Sequence, residues 1–260
     1  MRLFDTHAHY YDEAFDPDRD QVLSGLAAQN VALVVCPGCD LASSVNSLSL
    51  AEKYPFLYAA VGLHPENLDG ADLSDLEQIK AMAAHPKAAA IGEIGLDYYW
   101  VKEDSGRKTE RDFFDAQLSL SEELHLPVIV HDRDAHKDTV DLVRAHPKAR
   151  GVFHCCALSV EDAKVIEKLG WYTSFTGACT FKNARRALEV IDYMPLERLM
   201  IETDSPYMAP EPFRGKRNDS GYVYRVAETI ALRKGLSVEA VAEATYLNGV
   251  RFFGLEEKLI

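Results

Sequence analysis

Short runs of apolar residues alternate along the chain with longer segments in which apolar residues recur every three or four positions. The short runs predict β-strands, and the helical spacing predicts amphipathic α-helices. The predicted strands are residues 1–4, 31–36, 56–63, 88–96, 128–131, 151–154, 171–175 and 199–202. The predicted helices are residues 18–29, 41–54, 73–84, 109–124, 135–145, 159–169, 184–193, 222–233 and 237–253, and Ser159 is placed to cap one of them.

This alternation of strands and helices predicts an α/β fold. The strands are continuous apolar runs, as expected where helices cover a parallel sheet. Eight strands with helices after them, in 260 residues, match the roughly 250 residues of a (β/α)8 TIM barrel. No linker or shift in composition divides the chain, so we expect one barrel domain over residues 1–260. A doubly wound open sheet is the competing architecture, but no glycine-rich phosphate-binding loop follows the first strand.

The charge balance limits the classes of function. The chain has 28 basic and 41 acidic residues, a formal charge of −13, and such a protein will not coat nucleic acid through its general field. No apolar run approaches the length of a membrane span, and the amino terminus lacks the pattern of a signal peptide. We therefore expect a cytoplasmic protein without membrane contact, and we expect it to be a monomer.

The five cysteines are an odd number scattered through apolar segments, and we expect them to be buried free thiols. Cys36-Pro37-Gly38-Cys39 has the spacing of a redox site. A thioredoxin-like site, however, lies in a small βαβ domain of different layout, so redox chemistry is not the favoured interpretation.

Histidines and acids follow most of the predicted strands. His7 and His9 end the first strand, and residues two apart on a strand point to the same side. In a barrel the carboxyl ends of all strands meet at one mouth, where active sites lie. Further candidates at or near the ends of later strands are His64, Glu93, His131, His154 and Asp204.

Each candidate alone has an ordinary explanation, as a satisfied core histidine, a paired glutamate or a turn aspartate. Together they form a buried polar cluster that is costly unless a metal ion satisfies it. Four imidazoles and two carboxylates suit a pair of divalent ions with one carboxylate bridging them. Such a pair lowers the pKa of a bridging water, and Asp204 beside that water would serve as both ligand and proton acceptor.

The remaining histidines receive ordinary roles. His85, His125 and His146 lie at predicted helix ends, where the bottom of a barrel is expected, and His136 begins a helix as a rim residue.

Basic residues follow three of the late strands and indicate the charge of the substrate. Arg133 comes two residues after His131, and another basic group consists of Lys182, Arg185 and Arg186. The segment 214–217 is Arg-Gly-Lys-Arg, in the loop after the eighth strand, where such barrels often bind phosphate. A solvated charge run is the alternative for the middle group. Bases at the mouth of an acidic protein suggest an anionic, phosphorylated substrate.

The order of these motifs closely resembles the TatD family of metal-dependent deoxyribonucleases, within the amidohydrolase superfamily. The resemblance runs nearly end to end. It rests on Phe4-Asp5-Thr6-His7-Ala8-His9, Val61-Gly62-Leu63-His64-Pro65, Ile91-Gly92-Glu93-Ile94-Gly95-Leu96-Asp97-Tyr98-Tyr99, His131-Asp132-Arg133-Asp134-Ala135, Phe153-His154-Cys155, and Glu202-Thr203-Asp204-Ser205-Pro206-Tyr207 with Arg214-Gly215-Lys216-Arg217-Asn218.

The resemblance implies a division of the ligands between two divalent ions, Mg²⁺, Mn²⁺ or Zn²⁺. His7, His9 and Asp204 would hold one metal, and Glu93 would bridge to the second. His131 and His154 would complete the second site, and His64 would line the site and contact the scissile phosphate. The chain departs from the family pattern at Asp132, at Cys156-Ala157-Leu158-Ser159 and at Asp219-Ser220, which puts substrate shape and affinity near those loops in question.

The leading hypothesis is a two-metal phosphodiesterase that hydrolyses DNA, single-stranded or from strand ends. Asp204, Glu93 and His64 are the predicted catalytic residues, and the predicted substrate-binding residues are His64, Arg133, Arg214 and Arg217. A metal-dependent ester or amide hydrolase, such as a deacylase of D-aminoacyl-tRNA, is the first alternative, because an activated water attacks a carbonyl carbon as readily in principle. A non-catalytic nucleic-acid-binding module is the second.

Overall fold

Eight parallel strands form a nearly closed barrel in a computed structural model that describes residues 1–256. The strands pair in chain order, β1 with β2 through to β7 with β8. The loop after β1 bonds to the end of β8 and to the loop that follows it. Thr6 N donates to Ile201 O at 3.2 Å, and Asp204 N donates to His7 O at 2.9 Å. The strands are β1 Leu3–Asp5, β2 Val31–Pro37, β3 Leu57–Val61, β4 Ala88–Asp97, β5 Val128–Arg133, β6 Gly151–Phe153, β7 Tyr172–Phe175 and β8 Leu199–Ile201.

Helices follow the strands and cover the outside of the barrel, as the amphipathic spacing predicted. They are α1 Arg19–Gly25, α2 Leu41–Lys53, α3 Leu76–Ala83, α4 Asp104–Leu124, α5 His136–Ala145, α6 Val160–Lys168, α7 Arg185–Tyr193, α8 Val223–Lys234 and α9 Val238–Phe252. The predicted cap of α6 is confirmed, because the Ser159 side chain accepts from Asp162 N. None of the helices in residues 1–256 combines the length and the hydrophobicity needed to cross a membrane.

The (β/α)8 TIM barrel predicted from the sequence is confirmed, and the doubly wound alternative is excluded by the strand order. One boundary was wrong by more than a turn: α4 begins at Asp104 rather than at residue 109. The first turns of α4 carry no apolar stripe, so periodicity could not reveal them. They are held by Arg107, which donates to Val101 O and lies over the Tyr98 ring. The predicted domain 1–260 extends four residues past the described range.

The core has two layers. An inner layer fills the barrel with side chains from every strand, for example Phe4, Ile129 and Met200, and the end of α9 closes it below with Phe252 and Phe253. An outer layer packs the other face of each strand against the helices. Because strand side chains alternate between these two layers, a residue two positions after an inner one points into the barrel. This alternation directs polar residues at the strand ends into the mouth.

Candidate metal centre

The loop after β1 is tied to the loop after β8 by one buried carboxylate. Asp5 accepts hydrogen bonds from Thr203 N at 2.9 Å, from the Thr203 hydroxyl at 2.6 Å and from His7 N at 3.3 Å. Burial raises the pKa of Asp5 to about 7, although these hydrogen bonds oppose the shift. These hydrogen bonds of Asp5 hold His7 beside Asp204, although the two residues come from opposite ends of the chain.

The first ligand group contains His7, His9, Asp204 and one oxygen of Glu93. The Nε2 atoms of the two histidines are 3.0 Å apart. Asp204 Oδ1 is 3.3 Å from His9 Nε2 and 3.7 Å from His7 Nε2, and Glu93 Oε2 is 3.2 Å from His7 Nε2. Two imidazole lone pairs at this separation repel each other unless a proton or a cation lies between them. The donor set of two nitrogens and two carboxylate oxygens therefore fits a divalent metal ion.

The second ligand group surrounds the other oxygen of Glu93. Its Oε1 lies 2.8 Å from His154 Nε2, 3.1 Å from His131 Nδ1 and 3.4 Å from His64 Nε2. His154 Nε2 and His131 Nδ1 are 3.4 Å apart. Glu93 thus turns one oxygen to each group. All six predicted metal ligands are brought together in this way.

Two further carboxylates, which sequence reasoning did not assign to the site, hold the ligands of the second group from behind. Asp97 Oδ2 is 3.0 Å from His131 Nε2, and Glu202 Oε1 is 3.2 Å from His154 Nδ1. When a metal is bound, each histidine would donate its remaining proton to the carboxylate and offer the other nitrogen as a ligand, an arrangement found behind many metal-binding histidines. The sequence contained a signal for Glu202, because it lies two residues after Met200 in the inner layer.

The orientations of His9 and His64 are fixed similarly, whereas His7 Nδ1 has no hydrogen-bond partner in the part of the chain that the structure describes. His9 Nδ1 lies 3.0 Å from the Tyr11 hydroxyl, which donates to Cys39 Sγ, so Nε2 of His9 is the free nitrogen. In His64 the roles are reversed, because Nδ1 accepts from Glu66 N at 3.2 Å. The neutral His64 ring therefore carries its proton on Nε2. A protonated Nε2 cannot bind a metal but can donate a hydrogen bond, which separates His64 from the ligands.

The pKa shifts follow from this packing. Burial alone would raise the pKa of Glu93, but the positive charge of His154 and the neighbouring histidines holds it well below its usual value. Burial would lower the pKa of His131, yet its contacts with Asp97 and Glu93 raise it to about 9. Burial lowers the pKa of His64. Glu93 is therefore a permanent negative charge between two groups of imidazoles, as a bridging ligand requires.

A cavity of about 720 Å³ opens above the two groups. Of the predicted substrate-binding residues, it is lined by His64 and Arg133. Its wall also includes Trp100, Tyr207 and Met208, which carry large exposed apolar surface. The cavity therefore places an aromatic and cationic rim directly beside the ligand groups.

Arg214 and Arg217 are not among the residues that line this cavity. Arg217 pairs with both oxygens of Asp18 at 2.7 Å and lies over the Phe15 ring, and Arg214 lies over the Phe181 ring at 4.3 Å. Both guanidinium groups thus have partners within the protein. Their predicted contact with substrate stays a prediction, without support from this geometry.

The residues given ordinary roles occupy ordinary positions. His146 pairs with Asp115 at 3.0 Å, His136 with Asp132 at 2.7 Å, and His125 ends α4 in a left-handed conformation. Arg185 pairs with Glu189 along α7. All five cysteines are free as expected, but only Cys36, Cys156 and Cys179 are buried, since Cys39 and Cys155 are partly exposed beside the cavity.

Comparisons with known proteins identify a matching family and relatives named as metal-dependent hydrolases. The sequence profile of the family described as "TatD related DNase" matches residues 4–254. An uncharacterized metal-dependent hydrolase of Bacillus subtilis strain 168, YabD, is 42% identical over 255 residues, which are 96% of this chain and 98% of that protein. Another, YcfH of Escherichia coli K12, is 37% identical over 261 residues, 98% and 97% of the two chains. The crystal structure of the TatD homologue YJJV from E. coli K12 superposes with a TM-score of 0.90 at 30% identity, covering 97% of this chain and 98% of that one.

Proposed function

This chain belongs to the TatD family of metal-dependent hydrolases, and from that premise we propose that it is a phosphodiesterase that hydrolyses DNA with two metal ions. The single observation that supports two ions rather than one is the bridge, since the two oxygens of Glu93 face separate ligand groups at 3.2 Å and 2.8 Å. The nucleic acid partner, the monomeric state and attack from a strand end belong to the same proposal.

The bound ions would supply positive charge to the scissile phosphate and lower the pKa of the attacking water. The residues of this chain supply the rest. Asp204 borders the cavity, and although burial would raise the pKa of its carboxyl, contacts with His9 and His7 lower it, so the carboxylate is ionised and able to accept the proton of that water. His64 lines the same cavity, and its Nε2–H, which lies 3.4 Å from Glu93 Oε1, would donate to an oxygen of the phosphate when substrate is bound.

Arg133 is the cation of the cavity wall and would hold a neighbouring phosphate. One such contact, together with the metals, reconciles an anionic substrate with a chain of charge −13. It also implies a shallow dependence of binding on salt, because each neutralised phosphate of a single strand contributes a slope of only about −0.7.

Cleavage of single-stranded DNA by the purified protein tests this function. Mg²⁺ or Mn²⁺ should restore cleavage after chelation, and Asp204→Ala should abolish it while the variant keeps its fold. Cleavage that survives chelation or Asp204→Ala would refute the proposal. Turnover of D-aminoacyl-tRNA but not of DNA by the same preparation would instead assign the carbonyl chemistry, and DNA binding unchanged by His7→Ala with no turnover would indicate the binding module.

A further inference from the structure

An exposed aromatic pair stands at the rim of the cavity. Tyr99 and Trp100 lie two and three residues after the end of β4, and they are 42% and 60% exposed. Their rings meet edge to face with centroids 4.8 Å apart. The preceding Tyr98 is buried and its hydroxyl bonds to Asp138, so the exposure begins only after it. Two adjacent exposed aromatic rings beside a catalytic cavity are candidates for ligand contact rather than packing.

A cation completes the pair. The Arg133 guanidinium lies 3.9 Å from the centroid of the Tyr99 ring and 5.7 Å from that of Trp100. Within residues 1–256 this guanidinium has no carboxylate at ion-pair distance. Its nitrogens are thus available to an anion, while its flat face is held by an aromatic ring.

One side chain, Asp97, connects the backbone of Tyr99 and Trp100 to a histidine of the candidate metal centre. Asp97 Oδ1 accepts from Tyr99 N at 2.9 Å and from Trp100 N at 3.0 Å, while its Oδ2 holds His131. The carboxylate that orients a ligand of the second group therefore also sets where the aromatic rings stand. A structural turn would not need to share its anchor with a metal ligand.

We propose that Tyr99, Trp100 and Arg133 form a nucleobase subsite, in which an unpaired base beside the scissile phosphate stacks on Trp100 and Arg133 contacts the adjoining phosphate. The inference rests on the proposed function in that the substrate is a nucleotide chain. Every base has a π-face, so stacking of this kind accepts any base and requires only that it be unpaired. The subsite therefore favours single strands and frayed ends over paired interiors.

The composition of the chain offers a direct binding signal. It contains only two tryptophans, and the other, Trp171, is 2% exposed and packs against Phe153. In a Trp171→Phe, Asp204→Asn protein, in which turnover is slowed, the tryptophan emission comes from Trp100 alone. Titration with a thymidine tetranucleotide in Mg²⁺ should quench this emission, and an abasic chain of the same length should quench it little and bind about 5- to 150-fold more weakly.

If Trp171→Phe does not fold, the same signal is obtained as the difference between proteins with and without Trp100→Phe. Quenching by neither chain, or equal quenching by both, overturns the inference. Quenching by the base-bearing chain, together with no cleavage of DNA by the wild-type protein in Mg²⁺ or Mn²⁺, supports the subsite and overturns the phosphodiester reaction instead. The two failures are thereby distinguished.

A second, kinetic test measures the preference of the enzyme for base-bearing chains, which is the ratio of kcat/KM for a base-bearing chain to kcat/KM for an abasic chain. Trp100→Ala should reduce this preference about 5- to 150-fold, and Trp100→Phe should restore most of it. Tyr193→Ala is the matched control. Tyr193 is also an exposed aromatic residue close to a cation, Lys164, but it lies at the end of α7 that leads into the bottom of β8. An unchanged preference in Trp100→Ala, or the same loss in Tyr193→Ala, overturns the inference.

Discussion

Replacement of Glu93 by glutamine is the change that most directly tests the two-metal centre. The substitution conserves shape but removes the one charge that both ligand groups share. Glu93 Oε2 faces His7 Nε2 at 3.2 Å, and Oε1 faces His154 Nε2 at 2.8 Å. An amide can turn its oxygen to only one of these groups and must turn its NH₂, which cannot bind a metal, to the other.

The size of the effect follows from the distances. At an effective dielectric constant of about 20, two unit charges at 4 Å interact by about 4 kcal/mol, and a ligand oxygen lies closer than that to its ion. Loss of this attraction weakens binding by about a thousandfold or more, since about 1.4 kcal/mol corresponds to a factor of ten. We therefore expect the stoichiometry of tightly bound metal to fall from two per chain to at most one.

Metal analysis after dialysis, with circular dichroism to confirm the fold, measures this stoichiometry. Glu202→Gln is the matched control, because Glu202 contacts the outer nitrogen of His154 and accepts hydrogen bonds from Cys155 N and the Ser174 hydroxyl. It should retain both sites and weaken one by about 10- to 100-fold. Two equivalents of metal held by Glu93→Gln as tightly as by the wild type would refute the bridge and with it the mechanism.

Three further predictions concern other parts of the chain. Asp204→Asn should lower kcat by about 10²- to 10⁴-fold at saturating metal, because a proton acceptor is lost; steady-state cleavage of DNA measures this. Arg217→Ala should lower Tm by about 1–3 °C, because the contact with Asp18 is lost. The KM for DNA should stay within about twofold of the wild-type value. A tenfold rise in KM would instead place Arg217 in the substrate site. Burial raises the pKa of the Glu110 carboxyl from an ordinary 4.5 to about 7. The folded chain therefore binds the carboxyl proton more tightly than the unfolded chain does, and the protein loses stability as the pH rises from 4.5 to about 7. Urea unfolding at pH 5 and pH 8 should show a smaller loss in Glu110→Gln than in the wild type, whereas the exposed Glu77→Gln should keep the wild-type loss.

The barrel and the inner ligands could be predicted because both depend on local pattern. Continuous apolar runs mark buried strands, and polar residues that end such runs must face the mouth of a barrel. His131 and His154 illustrate this, since each lies two residues after an inner-layer side chain, Ile129 and Val152. Metal-binding residue types at such inward-facing positions are therefore brought together by the fold itself.

The partners behind the ligands could not be predicted in the same way. Asp97 lies 34 positions from His131, and nothing local distinguishes a carboxylate that orients a histidine from one that caps a turn. Asp97 does both. Arg217 shows the opposite case, because its basic loop has the expected sequence position, yet pairing with Asp18 directs it away from the cavity. Such choices depend on distances between distant segments, which periodicity does not encode.

The outer carboxylates also bear on how many ions the centre takes. Four acids contact its imidazoles: Glu93, Asp204, Asp97 and Glu202. Burial would lower the pKa of His131 and His154, but these acids raise it, so protons balance part of the negative charge. An ion in the second group would displace these protons, and such an ion alone would leave about two negative charges in a buried space, which is unfavourable. Two divalent ions would carry four positive charges, equal to the four carboxylates. Charge balance is thus compatible with the two ions that we propose from the two-sided contacts of Glu93.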